Sequence, residues 1–430
     1  MGKRAWISLP IIIVLLAGIA ATVILGNTKI DATNVKDAKR IAAYAEPAVV
    51  QVYNYAVINW DFSAVEAFQY YAATEQEYNY LGAINEYFVA TEGRSYVGGR
   101  GSGAIISSNG YIVTNAHVVD ATRKSDDELI VAGLESTAYE IADIYSLDPS
   151  LVYAYLVYTL GFTSIQRVQK VVLPSGEAYD SDTKAFGAPI GEGKDVAVIK
   201  IDANNLPTLQ LGNSDAVELQ DDIWVIGYPG AAELRELSED SQIVSTIAAG
   251  QVSAKDKKSE QGSPLIQINA AALPGNSGGP VVDRNGKIIG LLTAGPTEQL
   301  NFAVPSSTVQ EFVAQSGAKN APGPVDTLYR EGLEFFWAGY YEEALDRFQK
   351  VEQLYDKHPK IKQLISESRE KMGQNKTYWP KYKTYFYIYD GVAAVIIIFL
   401  IIFAFVLKPK QRPQTSEAPE SPSPPEKGTE

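Results

Sequence analysis

The chain has 430 residues, a net charge of −14, two histidines and no cysteine. That length suits two or three domains, while the lack of cysteine excludes a disulfide framework and a cysteine-built zinc site. Two distant histidines suggest no metal centre, no cofactor is expected, and an acidic chain without a long basic run excludes nucleic acid as its main partner.

Lys3 and Arg4 precede an apolar run from Ile7 to Gly26. At about 1.5 Å per residue it just crosses a bilayer core of roughly 30 Å. A cleaved signal peptide is the alternative, since Ala17 to Ala21 offers small residues. The run continues through Val23-Ile24-Leu25, however, past the end of a short h-region. Residues 1–26 are therefore expected to form a cytoplasmic N-terminus and an anchor, with Lys3 and Arg4 held inside. Residues 27–45 read as a linker with weak helical pattern, and Val49 to Val57 alternates as a strand.

Residues 59–93, rich in Tyr, Phe, Ala and Glu, interrupt the strands with helical spacing of aromatics. A second interruption covers 122–163; its apolar part, Ser150 to Tyr158, is too short to span a membrane. Strands are expected at Ile165–Leu173, Asp195–Ile201, Ile223–Gly227, Ile243–Val252, Leu265–Asn269, Pro280–Asp283 and Lys287–Thr293. Short strands between Gly, Pro, Asn and Asp clusters indicate an all-β barrel or sandwich. Ser306 to Gln315 reads as a closing helix.

Pro322-Gly323-Pro324 marks a boundary. In 325–373, the spacing of Leu328, Gly332, Phe335, Gly339, Ala344 and Phe348 resembles a tetratricopeptide (TPR) repeat, and a protein partner there is left open. Aromatics from Tyr378 to Tyr389 lead into the apolar Val392 to Leu407, giving a second span over 385–407 with Asp390 near its outer boundary. Residues 408–430, rich in Pro, Ser and Glu, are expected to form a disordered cytoplasmic tail.

The chemistry centres on Leu273-Pro274-Gly275-Asn276-Ser277-Gly278-Gly279-Pro280. Glycines on both sides of a serine let a backbone approach closely and expose N–H donors. Gly275 and Ser277 are the natural oxyanion donors. The plain alternative is a glycine-rich β-turn. Serine needs a base, and His117, in Thr114-Asn115-Ala116-His117-Val118-Val119, is the only histidine of this region. An imidazole base needs an acidic partner, for which Asp195, Asp202 and Asp120 are available.

These words, with Asp195-Val196-Ala197-Val198-Ile199-Lys200-Ile201, Leu211-Gly212-Asn213-Ser214, Ile226-Gly227-Tyr228-Pro229 and Asn301-Phe302-Ala303-Val304-Pro305, resemble the trypsin-like serine peptidases. Within these they resemble the HtrA (Deg) branch. The resemblance covers 46–316, apart from the two interruptions. It implies a mainly β, chymotrypsin-like pair of six-stranded barrels with the active site between them, and it selects Asp195 as the acid. The order His, Asp, Ser is that of the chymotrypsin-like fold.

Asn276 stands where digestive relatives carry aspartate, which makes zymogen-style activation unexpected. Ala271, Ala272 and Leu273 are expected to line an apolar substrate pocket. No PDZ-like segment follows. The expectation is a two-pass cell-membrane peptidase with an extracytoplasmic catalytic domain and both termini cytoplasmic. It would cut unfolded or damaged polypeptides without ATP; a homo-oligomer is left open. The alternative is a catalytically idle scaffold or chaperone.

Overall fold

The computed structural model describes residues 3–27, 32, 35–230, 243–293, 295, 300–376 and 379–406. Residues 28–31, 33 and 34 of the expected linker, and the tail 408–430, lie outside these. The chain divides into two units, Asp31–Asn375 and the pair Met1–Ile30 with Lys376–Glu430.

The larger unit is built on two closed six-stranded barrels, as the resemblance implies. The first runs β1 (Val49–Asp61), β2 (Arg94–Ser107), β3 (Tyr111–Thr114), β6 (Ala197–Ile201), β5 (Ala178–Phe186) and β4 (Gly161–Val172) around its wall. The second runs β10 (Pro280–Val282), β11 (Ile288–Leu292), β12 (Asn301–Pro305), β9 (Pro264–Ile268), β8 (Thr246–Lys258) and β7 (Asp222–Gly227). Closure pairs each barrel strand on both sides, apart from the stretches of β2 and β4 that run on beyond the first barrel. Buried apolar side chains cover both faces of the first barrel's wall, the neighbours Val198 and Ile199 pointing to opposite sides, and Val225, Ile268, Val281 and Ile289 share one core in the second.

β1 is four residues longer than its alternation suggests. It pairs with β2 as far as Asn59↔Arg94 and with β4 as far as Asp61↔Gly161, so three strands project as a ribbon beyond the barrel. The two interruptions supply the helices that cover this ribbon: α3 (Ser63–Tyr70) and α4 (Glu75–Ala90) from one, α5 (Asp126–Tyr145) and α6 (Pro149–Thr159) from the other. Each later start is capped. Thr74 accepts from the Glu77 amide, Ser125 and Glu128 form a capping box, and Asp148 caps α6 ahead of Pro149. Ile58 and Trp60 of β1 join Leu81, Ile84, Phe88, Leu129, Ile141 and Leu156 in a core of their own.

After α7 (Ser306–Ser316) come α8 (Pro324–Ala338), α9 (Tyr341–Leu354) and α10 (Ile361–Glu370). Gly339 (φ +88°) ends α8 in the left-handed conformation glycine adopts freely. Gly332 gives Phe348 room, since a Cβ there would lie 2.5 Å from its ring. The Asp326 carboxylate accepts from the Thr208 amide and hydroxyl, both at 2.7 Å, and so ties α8 to the segment joining the barrels. Burial nevertheless pushes its pKa above the usual carboxylate value. α2 (Asp37–Ala45) lies against α8 through an Arg40–Glu334 ion pair at 2.9 Å.

In the smaller unit, α1 (Lys3–Asn27) and α11 (Trp379–Ile401) are long and apolar enough to cross a membrane. Mean hydropathy reaches 2.7 over Trp6–Leu25 and 2.5 over Tyr382–Ala404. The two helices meet where the Thr22 hydroxyl donates to Asp390 Oδ1 at 2.6 Å.

Candidate active site

His117 begins a single 3-10 turn directly after β3, with Val118 and Val119 buried beneath it. Its partner is Asp195, which precedes β6 and is 2% exposed. One carboxylate oxygen of Asp195 lies 2.8 Å from His117 Nδ1, and the other accepts the His117 amide at 3.0 Å. Two residues whose role the sequence did not disclose complete the shell. The Thr293 hydroxyl donates to Asp195 Oδ2 at 2.6 Å, and Asn115 Nδ2 donates to the Asp195 carbonyl at 2.8 Å. A buried carboxylate needs such donors. The only hint in the sequence is a polar Thr293 closing the wholly apolar run of β11.

Ser277 belongs to the second barrel, in the turn that leads into β10. The turn is pressed against the first barrel at several points. The Ser277 carbonyl accepts from the Ser102 amide of β2 at 2.7 Å. A Cβ on Gly101 would lie 2.7 Å from Val118 Cγ2 and 2.8 Å from the Ser277 carbonyl, so the residue after His117 and the predicted nucleophile flank one point. Gly278 (φ +82°) lies so close to Thr114 that a side chain there would collide with its hydroxyl. The structure thus gathers His117, Asp195 and Ser277 at one seam between barrels. Among the described residues the Ser277 hydroxyl has no hydrogen-bond partner. Such bonds are often long in ligand-free enzymes and tighten with substrate.

Gly275 (φ +98°) takes a conformation open only to glycine at this packing, since a Cβ would lie 2.5 Å from the Tyr228 carbonyl and 2.7 Å from the Gly230 amide. The Pro274 carbonyl accepts from the Gly230 amide at 2.6 Å. In a trans peptide the N–H opposes the C=O, so Gly275 N–H points away from Gly230. Neither this N–H nor that of Ser277 meets an acceptor among the described residues. Two free donors beside one serine are what an oxyanion requires.

Of the expected pocket residues, Ala271 is exposed, while Ala272 and Leu273 are half-buried; Ala272 packs on the core of the second barrel. The preceding Ala270 is held by Asn301, whose amide donates to its carbonyl at 2.9 Å. Asn276 is 5% exposed, and its side-chain oxygen has no partner among the described residues.

Comparison with known proteins finds similarity to serine peptidases. "Probable periplasmic serine endoprotease DegP-like" from Pseudomonas fulva is 30% identical over 223 residues, covering 50% of this chain and 34% of that protein. "Serine protease HTRA1B" from Danio rerio is 31% identical over 228 residues, covering 53% and 37%. Residues 101–291 match the family model described as "Trypsin-like peptidase domain". Over this region the chain is similar to trypsin-like serine peptidases of the HtrA and DegP type.

"Serine protease HTRA2, mitochondrial" from Bos taurus is 28% identical over 264 residues, covering 57% of this chain and 45% of that one. The chain spans about a third of the length of the first two relatives. The solved structure "HtrA-type protease AlgW with decapeptide" is 21% identical with a TM-score of 0.39, covering 66% of this chain and 67% of that one, too distant to carry an argument. All three predicted triad positions belong to the peptidase domain as the family model bounds it.

Proposed function

We propose that the chain is a serine endopeptidase in which Ser277 attacks the scissile carbonyl carbon. His117 takes the hydroxyl proton and returns it to the departing amine, so the C–N bond breaks as the acyl-enzyme forms. Water then repeats the sequence and frees Ser277. Asp195 holds the imidazole in the tautomer that leaves Nε2 free to accept. Gly275 and Ser277 N–H groups bind the oxyanion. Ala271, Ala272 and Leu273 line an apolar pocket that takes an uncharged side chain, with broad tolerance because each methylene discriminates by only about 1–3 kcal/mol.

The observation that carries this reading is the buried carboxylate locked to His117 beside a serine turn with two unengaged N–H groups. The substrates are unfolded or damaged polypeptides outside the cytoplasm, cut without ATP, with the protein held in the cell membrane by two spans. Both termini are cytoplasmic on this reading, and the TPR-like helices offer a partner surface.

A fluorophosphonate probe tests it. The wild-type chain takes the probe at Ser277, and Ser277→Ala abolishes labelling and lowers kcat about 10⁶-fold. Casein hydrolysis unchanged in that variant would remove Ser277 from the mechanism and leave the idle scaffold. Labelling in intact and permeabilised cells reads the sidedness.

A further inference from the structure

We propose that Ser102 is a positioning residue that keeps the oxyanion hole formed. The inference rests on the peptidase reading above and concerns how its two amide donors are held in place.

Four successive peptide planes make up the turn from Pro274 to Gly278, and each has its carbonyl engaged. The Gly230 amide holds Pro274, and the Gly279 amide holds Asn276 at 2.9 Å. The other two carbonyls belong to Ser102. Its hydroxyl donates to Gly275 at 2.8 Å, and its amide donates to Ser277 at 2.7 Å. The alternating planes, those carrying the N–H groups of Gly275 and Ser277, can face the cleft only if the plane between them and the plane that follows stay fixed.

Ser102 is itself locked. It is fully buried on β2, its hydroxyl oxygen accepts the Tyr228 amide at 2.9 Å, and its carbonyl accepts the Thr114 hydroxyl at 2.7 Å. The hydroxyl therefore donates to one barrel-two carbonyl and accepts from one barrel-two amide. A residue present only to fill space would need neither. Glycine at position 275 makes the opposite turn geometry accessible, so the Ser102 hydroxyl biases a turn that its own sequence leaves free to flip. Loss of the hydroxyl leaves the Gly275 carbonyl and the buried Tyr228 amide without partners.

The test compares the full-length wild type with Ser102→Ala on a chromogenic peptide, on a peptide boronate that becomes tetrahedral at the serine, and in thermal unfolding. Ser102→Ala should lower kcat about 10- to 100-fold, below the loss from deleting an oxyanion donor outright. KM should change less than about twofold, and boronate affinity should fall in step with kcat. Should that variant not fold, Ser102→Cys, which keeps a weakly bonding γ atom, is expected to show the same pattern at smaller size.

Wild-type kcat and boronate affinity in a folded variant overturn the inference alone. So does a loss of melting temperature with boronate affinity intact. A wild-type chain that takes no fluorophosphonate overturns the peptidase reading and this inference with it.

Discussion

Asn276 shows how one side chain can tell two control schemes apart. It is almost wholly buried beside Gly227, where a Cβ would lie 2.8 Å from its side-chain oxygen, and that oxygen has no donor among the described residues. An amide tolerates such a place at modest cost, whereas a carboxylate there would be an unpaired buried charge. Asn276→Asp should therefore lower the melting temperature and reduce probe labelling, at a cost of several kcal/mol. A variant as stable and as reactive as the wild type would show that a cation reaches the site. The two glycines of the nucleophile turn that take positive φ were readable as required glycines. The hydroxyls of Ser102 and Thr293 were not, because a hydroxyl acquires its task only when a distant strand brings a carbonyl or carboxylate to it.

Elements differ in how openly the sequence announces them. β11 is apolar throughout and bounded by turn residues, and the helix α7 follows a proline stop. β5 escaped notice because its alternation is carried by Tyr179, Ser181 and Thr183 between the charged Asp180, Asp182 and Lys184, which resembles a solvated loop. The strand persists because it closes the barrel between β4 and β6. Helical spacing was legible in the first interruption but not in the second, and the core that their helices share was legible in neither. Residues near 84 and near 141 meet only after the ribbon of β1, β2 and β4 has formed, and local periodicity carries no record of that.

The turn between α9 and α10 contains a second buried polar group. His358 is 3% exposed, its ring centroid lies 4.3 Å from that of Tyr329, and its Nε2 has no partner among the described residues. Burial pushes its pKa down to about 3, and the Lys360 charge acts in the same direction. The fold thus favours the neutral ring, while the unfolded chain protonates near its ordinary value of about 6.5. Stability from this site is complete above that value and is lost as pH falls toward 3, with a slope up to about 1.4 kcal/mol per pH unit. Urea unfolding between pH 4 and 7 should show this loss, and His358→Phe should flatten it. An unchanged pH slope in the variant would place the sensitivity elsewhere.

At the scale of the whole molecule, two apolar helices flank a unit whose barrels, ribbon and C-terminal helices share one continuous chain segment. On the two-span reading, the full chain should stay with membranes through alkaline carbonate washing. A chain limited to residues 31–375 should be soluble and still take the fluorophosphonate probe. Recovery of the full chain in the carbonate supernatant would argue against spanning helices, and loss of labelling only in the short form would give them a part in assembly.

The division of chemical parts between the barrels bears on biosynthesis. On the peptidase reading the base and its acid lie in the first barrel and the nucleophile in the second, so a chain emerging from the ribosome would hold no complete cutting apparatus until strand β12 closes the second barrel. The amide of Ser102 can find its acceptor, the Ser277 carbonyl, only once the turn ahead of β10 has been made. On that reading a half-made copy is inert toward its neighbours, and the first cut waits on closure of the second barrel.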